Sequence, residues 1–407
     1  MANILTIIPY SFYPPRNGGS LRCYYILREM SRGNTIYVIT SHAENFKEIN
    51  ETPLSENIKI INFEEHPSYK SIFNLLPGKL SAALNYRLIR RSLKGPANNI
   101  LLKIHPLIRN LTKTIDFDII NFENLESVGM TASLFNRICP HAVKIYDAHN
   151  VDSELWREQG KHSFAKTALH IEESLSDLVD TFFCCSEEDN RKLTELNKNK
   201  IAGVTIPNGV DTTLKAFDNN PGKSSLNEIL FCGSLDYFPN KEGLNWFYSQ
   251  VFPLVRKSHP SLILTVVGKI QNTAGYEDLI NDPSVNFIGG VDSVNEYYKK
   301  SALAIVPLKH GSGTRLKILE AMSMGCPVVS TSIGASGLVY ECGKHLMIGD
   351  NSEDFASKIE LLLGNDSLYE QVRKNALTLV REKYDWNVIG TKIRSSLQHL
   401  ISEKRIK

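Results

Sequence analysis

His310 to Met322 reads HGSGTRLKILEAM, and the reading of that stretch decides the fold. An apolar run, Ala302–Leu308, precedes it and predicts a β-strand. The strand gives way to the glycine-broken loop Gly311-Ser312-Gly313-Thr314, and a helical run then continues to Gly325-Cys326-Pro327. A second apolar strand, Val328–Thr331, follows at once. Strand, loop, helix and strand in this order form the repeating unit of a parallel α/β sheet. Loop glycines let backbone N–H groups approach an anion, and the helix N-terminus adds its dipole. Arg315 and Lys317 place two cations in the first turn, where the dipole by itself favours anions. A bound anion, such as a diphosphate, offsets them. Glu320 lies ~7.5 Å further along the helix at ~1.5 Å per residue, where a carboxylate can accept hydrogen bonds from a ribose diol. The competing reading is an ordinary surface helix with scattered charges.

The same alternation extends in both directions. Strand candidates are Ile4–Ile8, Thr35–Thr40, Ile58–Phe63, Ile119–Phe122, Val143–Tyr146, Phe182–Cys185 and Val204–Ile206. A second series follows at Ile229–Cys232, Leu262–Val267, Val285–Ile288, Ala302–Pro307, Val328–Ser330 and Leu346–Ile348. Strands separated by helices imply an α/β fold of parallel sheets covered on both faces. Between the series, Pro207–Ser225 is rich in Pro, Gly, Asn and Asp and reads as a linker. The expected organisation is a first domain over 1–206, a linker over 207–225, a second domain over 226–384 and a terminal helix over 385–407. That helix carries Trp386, Val388, Ile389, Ile393 and Leu397 at helical spacing.

At 407 residues, with 42% hydrophobic and 22% charged residues, the chain has the composition of a two-domain globular protein. The net charge of +2 hides an uneven distribution. From His66 to Ile115 there is no Asp or Glu, while nine Lys and Arg occur, Arg87, Arg90, Arg91 and Lys94 among them. This basic stretch, 66–115, suits an anionic membrane surface. Its alternative is a solvated helix face, and no reading-head motif for nucleic acid accompanies it. The seven scattered cysteines form neither a disulfide framework nor a CxxC metal spacing. Adjacent Cys184 and Cys185 lie in an apolar strand pattern and read as core. No signal peptide and no span of ~20 apolar residues is visible, so a cytoplasmic location is expected.

In the first domain, the loop after Ile4–Ile8 ends in Asn17-Gly18-Gly19-Ser20 and opens the helix Leu21–Met30. Gly18 and Gly19 can direct backbone donors at an anion, although the GxGxxG spacing of a dinucleotide-binding fold is missing. Asp147-Ala148-His149 closes the strand Val143–Tyr146 at its carboxyl end, where α/β sheets place ligands. The neighbouring Asn150-Val151-Asp152 can equally cap the next helix. Asp116-Phe117-Asp118 has DxD spacing but stands at the amino end of a strand, and it reads as a solvated strand start rather than a metal site.

Taken in order, NGGS at 17–20, DAHN at 147–150, Cys185-Ser186, PNGVD at 207–211 and the HGSGTRLKILEAM stretch resemble the GT-B-fold glycosyltransferases of family 4. The resemblance spans nearly the whole chain and is strongest over 301–349. It implies two Rossmann-like domains facing a cleft, with the C-terminal helix crossing back to the first domain. It also implies transfer of a sugar from a nucleotide-diphosphate donor to a glycan or lipid-linked acceptor, for cell-surface polysaccharide. The resembled enzymes retain anomeric configuration and need no metal or cofactor, and the leaving phosphate is thought to assist the incoming hydroxyl.

By the resemblance, Arg315 and Lys317 neutralise the diphosphate, the Gly311, Ser312, Gly313 and Thr314 backbone cradles it, and Glu320 holds the ribose. The loop bearing Gly18 and Gly19 contacts donor phosphate or acceptor, and His149 faces the transferred sugar as a neutral, hydrogen-bonding imidazole. Two departures stand out. Many relatives carry a glutamate where this chain has Ser312, and they often place a basic residue in the loop that here runs from Gly233 to Lys241. Rival readings are a sugar-nucleotide epimerase on the same scaffold and a non-catalytic scaffold subunit.

Overall fold

The computed structural model describes residues 1–10, 12–15, 17–40, 57–62, 104–213, 227–311 and 314–406. Its strands are β1 (Asn3–Ile8), β2 (Thr35–Thr40), β3 (Ile58–Asn62), β4 (Ile119–Glu123), β5 (Val143–Ala148), β6 (Thr181–Cys184) and β7 (Gly203–Thr205). They continue with β8 (Glu228–Cys232), β9 (Ile263–Val267), β10 (Val285–Gly289), β11 (Leu303–Val306), β12 (Val328–Ser330) and β13 (Met347–Ile348). The first seven form one sheet in the order β3-β2-β1-β4-β5-β6-β7, and the last six form another in the order β10-β9-β8-β11-β12-β13. Every pairing is parallel. Strand bounds match the apolar runs closely, because a strand buried on both faces needs an unbroken apolar run rather than alternation. β4 and β5 are buried at every position.

Both sheets reverse their order next to their first strand, between β1 and β4 and between β8 and β11. Right-handed crossovers then carry the connections on the two sides of that point to opposite faces of the sheet. The space outside the strand carboxyl ends at such a reversal is where open α/β sheets hold ligands.

The chain divides into two compact units, Met1–Pro207 with Gly390–Lys407, and Asn208–Ile389. The sequence reading made 207–225 a linker. In the structure its first residues are packed into the second unit: Val210 bridges Asp385, and the Thr212 N–H donates to Asp385 Oδ2 at 3.1 Å. A side chain at Gly209 would meet the Tyr384 carbonyl at 2.7 Å. Residues 214–225 lie outside the described residues. The long helix Trp386–Ile406 starts in the second unit and runs on in the first. There Arg394 Nη1 reaches the buried Glu29 carboxylate at 2.5 Å, and Lys404 and Arg405 pair with Asp180 and Asp118 at 2.6 and 2.8 Å.

Glycines set how closely the carboxyl ends of the second sheet approach one another. An added Cβ at Gly268 would collide with the Gly233 carbonyl oxygen, which as backbone cannot rotate away. Gly268→Ala should therefore destabilise the protein by about 1–3 kcal/mol through overpacking. Gly364, the exposed last residue of the helix Ser352–Gly364, has nothing within 4 Å, and Gly364→Ala should be neutral or stabilising by up to about 1 kcal/mol. Urea melts of the two variants check the contrast, and equal midpoints would contradict it.

Candidate functional site

In the second unit the decisive residues converge at the β8/β11 reversal. β8 runs into Gly233 and β11 into the loop 307–315, where Gly311 takes φ +111°, a left-handed conformation suited to glycine. Ser312 and Gly313 lie outside the described residues. Arg315 is the N-cap of the helix Leu316–Ser323, with extended backbone and no side-chain cap, and the first turn holds no acidic residue. Lys317 follows as the second helical residue. Its Nζ donates to Asn240 Oδ1 at 2.8 Å and lies 5.0 Å from the Phe231 ring centroid.

Glycines again make the room. A Cβ at Gly233 would sit 2.6 Å from Lys317 Nζ, and one at Gly311 would sit 2.7 Å from Arg315 Nη2. The Thr314 backbone packs against Gly337, in the loop after β12. Burial, with Arg315 nearby, pushes the Lys317 ammonium pKa down to about 8, although Cys232 and Glu320 pull the other way. Glu320 lies half-buried on the same helix. Of the loop Gly233–Lys241, it is Asn240 that reaches Lys317. Lys241 turns away, bonding the Ala274 carbonyl and covering the Tyr276 ring at 5.2 Å.

The first unit has a counterpart at the β1/β4 reversal. Asn17 and Ser20 form a reciprocal capping box at the start of the helix Gly18–Ser31. Gly18 is exposed, and Gly19 lies so close to the imidazole that a Cβ would be 3.2 Å from His149 Nδ1. His149 Nε2 meets Glu123 Oε1 at 2.5 Å, with Glu123 fully enclosed. Glu123 and Asp147 are register partners across β4 and β5. Arg22 answers this second buried acid, its Nη2 on Asp147 Oδ1 at 2.5 Å and its Nη1 on the Ile206 carbonyl at 2.7 Å.

Two buried carboxylates and one guanidinium reach neutrality when one further proton is held between the imidazole and Glu123. Burial opposes charge on the imidazole, but Glu123 and its hydrogen bond prevail, and the His149 pKa is raised. Burial and the neighbouring Asp147 also raise the Glu123 pKa. The sequence reading treated this imidazole as neutral. It could not include Glu123, 26 residues away, which holds the proton with it. A cavity of about 640 Å³ opens beside His149.

With this geometry in view, comparison with known proteins is informative. Residues 227–365 match the family described as glycosyl transferases group 1. A Klebsiella pneumoniae protein, described as an uncharacterized 44.6 kDa protein in the cps region, is 23% identical over 401 residues, covering 95% of this chain and 97% of the other. CapM of Staphylococcus aureus, a capsular polysaccharide biosynthesis glycosyltransferase, is 23% identical over 229 residues, 52% of this chain and 58% of its own. The structure of Anabaena HepE in complex with UDP and glucose superposes with a TM-score of 0.71 at 16% identity, covering 98% of this chain and 100% of that one. The chain has the GT-B fold, and its residues 227–365 are similar to the glycosyl transferases of group 1.

The fold gathers the sequence candidates into two groups. Gly311, Thr314, Arg315, Lys317 and Glu320 share one, and Gly19 and His149 share the other. Sequence reasoning missed Arg22, Glu123 and Asn240. A charged residue ending an apolar strand, as in IINFE over Ile119–Glu123, was the available signal for the second of them. Glu123, Asp147 and His149 place ligand-type atoms within 4.8 Å of one another, the one such cluster among the described residues. Arg22 already occupies Asp147, and a second cation beside a buried guanidinium is repelled. Asp116 is exposed beside His141, and Asp118 caps the Asn3 N–H and pairs with Arg405. Among the described residues, no hydrogen bond or ion pair joins them to either group. Cys184 and Cys185 are fully buried.

The depressed Lys317 pKa has a signature in stability. Between pH about 8 and 10.5 the unfolded chain holds a proton here that the folded chain has released, so this residue makes stability rise with pH across that window. Below pH 8 the folded protein carries the charge at a cost. Lys317→Met removes the titration. Its unfolding free energy relative to wild type should fall by about 1–3 kcal/mol from pH 7.5 to pH 10.5. Urea titrations at several pH values check this, and a pH-independent difference would refute it.

Proposed function

We propose that this glycosyltransferase moves a sugar from a nucleotide-diphosphate donor, held by its second unit, to a glycan or lipid-linked acceptor hydroxyl. The observation that carries the reading is Lys317, an ammonium kept against its own desolvation beside Arg315, with glycines clearing the space around both. An anion placed against the pair returns the proton affinity that burial removes. A diphosphate leaving group suits the position, since its negative charge grows as the glycosidic bond breaks and preorganised cations act most strongly on charge that develops then. The Gly311–Thr314 backbone adds N–H donors and Glu320 takes the ribose hydroxyls. Gly18, Gly19 and His149 line the sugar and acceptor side.

The reaction is retaining and metal-independent, with the leaving phosphate taking the acceptor proton, so no protein base is assigned. UDP and glucose in the similar HepE structure support a nucleotide-sugar donor. The cps-region relative and CapM support a role in cell-surface polysaccharide synthesis. An epimerase or a scaffold subunit is not favoured, since the matching family and the named relatives are transferases.

Arg315→Ala and Lys317→Ala should each lower turnover ten- to a hundredfold, about 1.4–2.8 kcal/mol of transition-state stabilisation, in protein with unchanged circular dichroism. Nucleotide release from a donor panel, with and without extracted membranes, measures it. Normal rates in both folded variants would end the phosphate role. Conversion of a donor into its epimeric sugar nucleotide without net nucleotide release would favour the epimerase, and neither release nor conversion of any donor the scaffold.

A cytoplasmic enzyme acting at the inner membrane face would use the basic stretch 66–115. Only its end is described, where Arg109 and Lys113 are exposed on the helix His105–Thr114. Arg87, Arg90, Arg91 and Lys94 lie outside the described residues. No described helix is long and apolar enough to cross a membrane, so attachment by surface charge is the proposal. Wild-type protein should sediment with anionic vesicles at low salt and be released as screening shortens to ~10 Å at 0.1 M. Charge reversal at those four residues should abolish sedimentation, and a wild type that never sediments would remove the membrane from the proposal.

A further inference from the structure

Asn240 is held from two sides, and the two contacts fix which way its amide faces. It lies in the first turn of the helix Phe238–Trp246 and is 5% exposed. Its Nδ2 donates to the Ser234 carbonyl at 2.8 Å, and its Oδ1 accepts from Lys317 Nζ at 2.8 Å. A carbonyl cannot donate and an ammonium cannot accept, so this is the orientation that satisfies both partners. The backbone beside Ser234 is itself secured. Leu235 donates its N–H to the Lys269 carbonyl at 2.9 Å, and its own carbonyl accepts from the Tyr276 hydroxyl at 2.8 Å. Gly233 completes the fit, since a Cβ there would stand 2.8 Å from Asn240 Nδ2 and 2.6 Å from Lys317 Nζ.

Stability alone does not account for an amide at this position. An aspartate has the same shape, would suit the positive end of the helix in whose first turn it would sit, and would pair with the ammonium. It would also neutralise Lys317. The carboxamide takes one of the ammonium's three N–H donors and leaves its charge in place. A lysine side chain loses much rotamer freedom when it is fixed. A hydrogen bond already made before the donor arrives removes that loss from donor binding.

We propose that Asn240 is a positioning residue of the transfer reaction: its carboxamide, turned by the Ser234 carbonyl, holds the Lys317 ammonium ready for the donor diphosphate without neutralising it. The proposal rests on the reading of Lys317 as a diphosphate cation. Asn240 itself touches no reacting atom and acts through Lys317.

Two measurements on full-length protein test this, and the first needs no donor. Besides Asn240, the groups around Lys317 are Cys232 at the end of β8, Arg315 and Glu320 on its own helix, and Tyr298, whose hydroxyl donates to the Lys317 carbonyl at 3.3 Å. Asn240→Asp sets a carboxylate against the ammonium and raises the Lys317 pKa from about 8 toward its ordinary value of 10.5. The folded chain then keeps the proton that it otherwise releases, and the rise of stability across that window is lost. In urea melts the folding constant of Asn240→Asp relative to wild type should fall about tenfold or more from pH 7.5 to pH 10.5. In a Lys317→Met background the same substitution should give a pH-independent ratio, which a merely structural role for Asn240 would not produce.

The second measurement uses inorganic pyrophosphate as the diphosphate probe, by calorimetry at pH 7.5, followed by nucleotide release from the donor panel. Asn240→Asp should weaken pyrophosphate binding tenfold or more. Asn240→Ala should lower kcat about tenfold and add nothing in a Lys317→Ala background, because the two residues act as one unit. Circular dichroism verifies each fold, and Asn240→Ala carries the test if Asn240→Asp does not fold. A pH-independent ratio for Asn240→Asp in the wild-type background, or additive losses in the alanine pair, overturns the proposal. Normal turnover and pyrophosphate binding in both Arg315→Ala and Lys317→Ala sinks the diphosphate reading. An impaired Lys317→Ala beside an unimpaired Asn240→Ala sinks this proposal alone.

Discussion

β8 and β11 lie side by side, yet the chain leaves them toward opposite faces of the second sheet, because the strand order reverses between them. That divergence is the constraint on which the second unit's site depends. Two loops far apart in sequence meet at those strand ends. Gly233 and Asn240 come from one, and Gly311, Arg315 and Lys317 from the other. Had the order run on without reversal, one connection would have covered the strand ends. The glycines follow from the same geometry. Close approach of neighbouring strand ends leaves no room for a Cβ at Gly268, and the Lys317 and Asn240 side chains leave none at Gly233.

The two units solve their charge problems in opposite ways. The first buries two acids side by side, Glu123 and Asp147, and closes the account internally with Arg22 and a proton shared with His149. Removing one member would strand its partner, which typically costs 3–5 kcal/mol for a buried pair. The second unit gathers two cations at a helix end that repels them, with Asn240 as the neutral partner of one. Two cations side by side at a helix start suit an anionic ligand, which is the physical basis for proposing that the donor binds the second unit.

Much of the architecture was legible in the chain. Apolar runs marked strand after strand to within a residue or two, since doubly covered parallel strands cannot alternate. The stretch from His310 to Met322 disclosed its cations and glycines directly, because loop, helix start and charges are contiguous. The first-unit site was only half legible. His149 and Gly19 stood out beside glycines and strand ends, but the partners of His149 did not. They are Glu123, at the end of a neighbouring strand, and, through Asp147, Arg22, a helical residue that looks solvent-facing on paper and is almost completely buried.

Sequence alone determined what is local: which segments are strands, which loop and helix start carry Arg315 and Lys317, and where the chain changes from one βα series to the next. It also marked the basic stretch 66–115, whose charge is a matter of composition. Tertiary structure decided what depends on neighbours distant in the chain. It turned Asn240 rather than Lys241 toward Lys317, pushed that ammonium's pKa down, and drew the head of the expected linker into the second unit through Asp385. It also stood Trp156 and Phe164 beside a cavity that Tyr146 lines. The reason is one of range. Propensity and periodicity act over a few residues, whereas desolvation, pairing of buried charge and the space left by a missing Cβ are set by whatever the fold brings alongside.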